Sequence, residues 1–241
     1  MKFLLKIIIF FFIIAFSVVI AYKKNYISAA YPFVILPSPS PLPSPIPTPT
    51  IVPSPTPQPL LPVTKKPAIY LYPTSFIPVS VKLNIRGTLT KSIPSYPKNG
   101  WYVIATPNSL IDNRYDYLFY EAKLDKYEVG EDGWVVATKD LKSWFSKYLP
   151  MFGLNKKEIS QFKSYWLKEL TLPGFYEIKL LSEDFLGENM DITINPTPDT
   201  IIRVEFYFKH LDNPIVLNEP VIVTPKRNGF VVVEWGGTTE E

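Results

Sequence analysis

Twelve of the 26 residues from Pro37 to Pro62 are proline, most of them alternating with Ser, Thr or an aliphatic residue. Each proline fixes its own φ, lacks an amide donor and biases the preceding residue toward extended geometry, so neither a helix nor a central strand forms there. Polyproline II is what remains. At about 3.1 Å per residue the tract reaches on the order of 80 Å, a semi-rigid spacer. A ligand for proline-recognition modules is the alternative, but those modules are mainly cytosolic, and 37–62 holds no basic residue to orient one. The interleaved Ser and Thr suit O-glycosylation in an exported protein.

Ahead of the spacer, Ile7 to Tyr22 is an unbroken uncharged run of 16 residues, and with Phe3, Leu4 and Leu5 across Lys6 the segment is 20 long. A helix rising about 1.5 Å per residue then crosses the roughly 30 Å core of a bilayer, with Lys6 snorkelling to the headgroups. The expected organisation is a membrane anchor over 1–24 that spans through residues 3–22, a Pro/Ser/Thr-rich linker over 25–64, and a globular head over 65–241. The expected location is the cell membrane, single-pass, with the head outside. Basic residues flank both ends of the apolar run, so the spacer rather than charge favours that orientation. Secretion after cleavage near Val19-Ile20-Ala21 is the alternative; the Phe/Ile bulk and the Tyr22-Lys23-Lys24 that follows argue against it.

The formal charge is +3, but four of the 25 basic residues and none of the acids lie in the first 64 positions. The head therefore holds 21 basic against 22 acidic residues, a net charge of −1. With no Lys/Arg stripe, nucleic acid is not an expected partner. There is no cysteine and one histidine, which excludes disulfides, Cys-containing zinc sites, thiol nucleophiles and multi-histidine metal sites.

Within the head, strands are predicted at Ala68–Tyr72, Val79–Ile85, Trp101–Ala105, Tyr117–Ala122 and Gly133–Ala137, from period-two alternation bounded by Gly, Asn and Pro. Leu141, Phe145 and Leu149 then mark a helix from near Thr138 to Pro150, and Ile159, Phe162, Trp166 and Leu170 mark another after Asn155, whose spacing to Glu158 fits a capping box. Strands resume at Tyr176–Leu180, Asp191–Asn195, Ile201–Phe208 and Phe230–Trp235. The fold class is α+β, a largely antiparallel, meander-like β head with a two-helix insertion, behind a single transmembrane helix and a polyproline stalk.

Several of these segments form a recognisable series. Lys66-Pro-Ala-Ile-Tyr-Leu-Tyr-Pro73, Tyr117-Leu-Phe-Tyr-Glu121, Gly153-Leu-Asn155 through Tyr165-Trp166, and Gly229-Phe-Val-Val-Val-Glu-Trp-Gly-Gly237 resemble, in order and spacing, a family of mostly bacterial proteins with "KPVIYLYP", "YLFWEG" and "GFTVVEWGG" motifs. Tyr120 and Ala122 depart from the second motif. The resemblance spans the head, excludes anchor and stalk, and implies no activity and no catalytic residues.

The head contains no G-x-S-x-G, Walker A, G-x-G-x-x-G, H-E-x-x-H or EF-hand pattern, and no cofactor or metal is expected. His210, at a strand end, reads as a surface or packing residue. The acidic turn Asp125–Asp132 has carboxylates in reach of Ca²⁺ but fits no standard loop, and reads as a solvated hairpin tip. Two acids interrupt strongly apolar strands, Glu121 and Glu234. As neighbours they would supply the acid and base, or acid and nucleophile, of glycoside hydrolysis; the plainer reading places each on a solvated face or pairs it with Arg203, Arg86 or Arg227. Trp101, Trp134 and Trp235 lie beside glycines at strand ends, where exposed rings would stack on a glycan, though packing is the simpler expectation. The expected function is a membrane-anchored extracytoplasmic binding or cell-surface interaction module, with a glycan or cell-wall polymer as its ligand. A carboxylate-dependent hydrolase of glycosidase type is the alternative.

Overall fold

The structure, a computed structural model, describes residues 63–239. The expected anchor and stalk lie outside these residues, and among the described ones no helix is long and apolar enough to cross a membrane. Strands β1 (Val63–Tyr72), β2 (Ile77–Ile85), β3 (Gly87–Ile93), β4 (Trp101–Ala105), β5 (Leu118–Leu124) and β6 (Trp134–Ala137) precede helices α1 (Leu141–Tyr148) and α2 (Lys156–Glu169). Then come β7 (Phe175–Leu180), α3 (Glu183–Asn189), β8 (Met190–Asn195), β9 (Thr200–Leu211) and β10 (Val231–Thr239). The protein is mixed α+β with mostly antiparallel sheets and three helices.

Seven strands form one sheet in the order β3-β5-β1-β10-β9-β7-β6, and β4-β2-β8 form a second. This is not the expected meander. The first five strands alternate between the two sheets, and β9 and β10 pair in parallel, joined by the long crossover 212–230. The larger sheet is covered on both faces. Ala68 and Tyr70 of β1 pack in a core with α1 and α2, whereas Ile69 and Leu71 pack against the smaller sheet and α3. A strand buried on both faces has little use for alternation, which is why β10 reads as the near-continuous run Val231-Val-Val-Glu-Trp235.

Both expected helices form for the expected reason. Asn155 Oδ1 accepts from Glu158 N at 3.0 Å, and Glu158 Oε2 accepts from Asn155 N at 2.7 Å, completing the capping box. Glu158 is fully buried, and Arg227 from the crossover meets it through two hydrogen bonds of 3.0 Å. Two elements were not legible. β3 is the polar edge segment Gly-Thr-Leu-Thr-Lys-Ser-Ile, with no apolar alternation, and α3 is seven residues interrupted by Gly187, capped by Ser182 accepting from Phe185 N.

Candidate functional site

At the β3-β5-β1 end of the large sheet, on its helical side, a cleft of about 360 Å³ opens between the strands, the turn at 114–116 and the outer flank of α2. Its most unusual member is Lys66. Between Lys65 and Ala68, β1 advances three residues while β10 advances two, so β1 carries a bulge there, and Lys66 takes a φ of 61°. Left-handed backbone costs a lysine roughly 1–2 kcal/mol. The bulge changes the parity of the strand, so that two consecutive lysines both reach the helical side. Lys65 Nζ lies 3.9 Å from Glu169 of α2, and Lys66 Nζ donates to the Tyr117 hydroxyl at 2.6 Å. The Lys66 ammonium stands 4.3, 4.6 and 5.8 Å from the ring centroids of Tyr117, Phe119 and Tyr165, all within cation–π range.

The polar wall is ordered from beneath. Tyr70, buried under the site, donates to Gln161 Oε1 at 2.5 Å, which turns the Gln161 amide so that Nε2 donates to Asp116 Oδ2 at 3.2 Å. Lys157 holds the other Asp116 oxygen at 2.7 Å. Burial, then Tyr117, push the Tyr70 phenol far up, so it remains a donor. Burial, then Glu169 and Glu121, likewise push Tyr165 up. The cleft thus offers flat apolar faces, a fixed amide, two carboxylates and three cations at its rim, Lys66, Lys91 and Arg114.

Of the expected site residues, Glu121 lines this cleft, half-buried. Glu234 does not. Its Oε1 accepts from the Tyr120 hydroxyl at 2.7 Å and its Oε2 from Arg203 Nε at 2.6 Å, while Arg203 Nη2 donates to the Met190 carbonyl at 2.6 Å. Tyr120 belongs to the core between the two sheets, and its strand neighbour Glu121 points the opposite way. The two glutamates therefore stand on opposite faces of one sheet and form no acid–base pair. The Arg203 partnership weighed for Glu234 is the one observed. Glu205 of β9 is fully buried within reach of the charges on Glu234 and Arg203, yet among the described residues neither of its own oxygens has a hydrogen-bond partner. Burial, then Glu234, push its carboxyl well above the usual range against the opposing pull of Arg203.

The tryptophans are packing residues. Trp101 is 2 % exposed, with its indole N–H donating to the Pro94 carbonyl at 3.0 Å, and Trp235 is fully buried against Phe162 and Tyr70. Trp134 is 4 % exposed and backs a second concavity of about 300 Å³ beneath the 215–219 stretch of the crossover. None presents a free face for glycan stacking. His210 Nε2 donates to the Pro173 carbonyl at 2.7 Å. Among the described residues no three carboxylate or imidazole groups gather as a metal site, the 125–132 turn included.

Sequence reasoning missed Lys66, Tyr117, Phe119, Gln161 and Tyr165. The segments Lys66–Pro73, Tyr117–Glu121 and Gly153 through Trp166 supply six of the cleft's lining residues, Lys66, Tyr117, Phe119, Glu121, Gln161 and Tyr165. No family model matches this chain, and no curated protein or solved structure matches it either.

Proposed function

We propose that this chain is a membrane-anchored, extracytoplasmic binding module whose proline stalk displays a head that takes a glycan or cell-wall polymer. The observation that supports the reading is the cleft at Lys66. Saccharides offer apolar C–H faces and a periphery of hydroxyls, and the cleft offers the half-buried Tyr117 and Tyr165 beside the fixed Gln161 amide and the Glu121 carboxylate. The hydrolase alternative loses Glu234, which is bound to Arg203 and Tyr120 on the other face of the sheet, and the cleft's second carboxylate, Asp116, is engaged by Lys157 and Gln161. The apolar segment leading into an uncharged stalk supports a head outside the cell.

The test is a polysaccharide and cell-wall-fragment panel presented to the full chain in mild detergent, with binding and new reducing ends both measured. Saturable binding without cleavage, weakened at least tenfold by Tyr165→Ala, is expected. No binding across the panel overturns the proposal. Turnover that Glu121→Gln abolishes replaces it with the hydrolase.

A further inference from the structure

We infer that the saccharide taken by this cleft is an anionic one, its carboxylate or phosphate held by Lys66, Lys91 and Arg114. The inference rests on the saccharide-binding reading above and adds the charge of the ligand.

The argument begins with which charges in the cleft are already matched. Asp116 is committed to Lys157 at 2.7 Å and to Gln161. Glu121 and Lys91 are directly opposite across β5 and β3, yet they form no ion pair within 4 Å. Neither Lys66 nor Arg114 pairs with a carboxylate among the described residues. Three cations without an anionic partner thus face one unmatched acid. The more deeply set basic groups of the head are consumed, Arg203 by Glu234, Arg227 by Glu158 and Lys179 by Glu177, whereas half-buried Lys66 and the exposed Lys91 and Arg114 are left to the cleft.

The placement of the cations sharpens this. The Lys66 and Lys91 ammonium groups approach the same Phe119 ring, at 4.6 and 5.4 Å from its centroid. Like charges brought to one ring repel, and an anion bound in the cleft lowers that repulsion. Lys66 is also held by the left-handed bulge and by Tyr117, which takes one of its three N–H donors and leaves two for a ligand. Its aromatic surroundings exclude water from part of the ammonium, which strengthens its attraction for an anion. Arg114, exposed on the opposite rim with its guanidinium 5.2 Å from the Tyr115 ring, presents the planar fork that suits two oxygens of a carboxylate or phosphate. The apolar rings take the sugar face and the cations its acid group.

Binding to the full chain in non-ionic detergent is measured by calorimetry with four probes: tetragalacturonate, its fully methyl-esterified form, a phosphomannan pentasaccharide and inorganic polyphosphate. Tetragalacturonate or the phosphomannan is expected to bind, and whichever does so names carboxylate or phosphate as the group recognised. Methyl esterification, or removal of the phosphate, is expected to weaken binding at least tenfold, as is Lys66→Gln. Arg114→Gln, on an exposed turn, makes the same test if Lys66→Gln fails to fold. Lys142→Gln on α1 should change nothing. Equal binding of charged and neutral forms overturns the anionic inference and leaves the saccharide reading standing. Polyphosphate binding without any saccharide binding keeps the anion site and overturns the saccharide reading. No binding by any probe overturns both.

Discussion

Glu205→Gln isolates one buried proton. Glu205 is fully buried between the sheets, with Glu234 and Arg203 as the charged groups acting on it and Tyr120 bonded to the same Glu234. If both acids were ionised, two negative charges would share one guanidinium in a site that desolvates all three, so the proton stays on Glu205, whose own oxygens have no hydrogen-bond partner among the described residues. Its carboxyl in the fold is pushed well above the value of about 4.3 that it has in the unfolded chain. Between those two values the folded state holds a proton that the unfolded state has lost. Stability from this group is therefore whole below the unfolded value and is lost as pH rises toward the folded one. The slope reaches at most about 1.4 kcal/mol per pH unit, so the native glutamate loses stability with each rise in pH above the unfolded value. Glutamine has the same shape and does not titrate. Urea unfolding of both full-length forms, followed by tryptophan fluorescence at pH 5, 6 and 7, gives the difference in stability at each pH, and contributions from all other acids cancel in it. The glutamine form should gain on the native one steadily as pH rises, whatever the offset between them at pH 5. A difference that stays constant, or that shifts toward the native form, refutes the assignment of the proton to Glu205.

Trp166→Ala should cost about 3–5 kcal/mol, because the ring is fully buried against Phe162 and Phe208; a loss below about 1 kcal/mol by the same denaturation would mean that α2 does not pack as described. Arg227→Met leaves Glu158 buried beside its capping contacts without its cation, and should cost about 3–5 kcal/mol, a loss that Glu158→Gln in the same chain largely restores. Protease added to intact cells should release the head while cytosolic markers stay whole; a head protected until the membrane is broken would reverse the proposed orientation.

Local pattern carried much of this protein. Proline density alone predicts an extended spacer over 37–62, which lie outside the described residues. The capping box at Asn155 and Glu158 and the four-residue spacing of Leu141, Phe145 and Leu149 mark both long helices, because a helix satisfies its own backbone and declares itself within a few residues. Nine strand segments showed for a similar reason, whereas β3, polar and on an edge, gave no alternation to read. Period two also says that Tyr120 and Glu121 point to opposite faces. It does not say which face is covered by what. Only the pairing of β5 with β1, and of β1 with β10, puts Tyr120 against Glu234 between the sheets and leaves Glu121 in a cleft beside α2. Trp101 and Trp235 are buried because layers distant in sequence close over them, and Lys66 reaches three aromatic rings because a bulge turns one strand by a residue. Those outcomes depend on contacts between segments tens of residues apart, whose closure no local periodicity encodes.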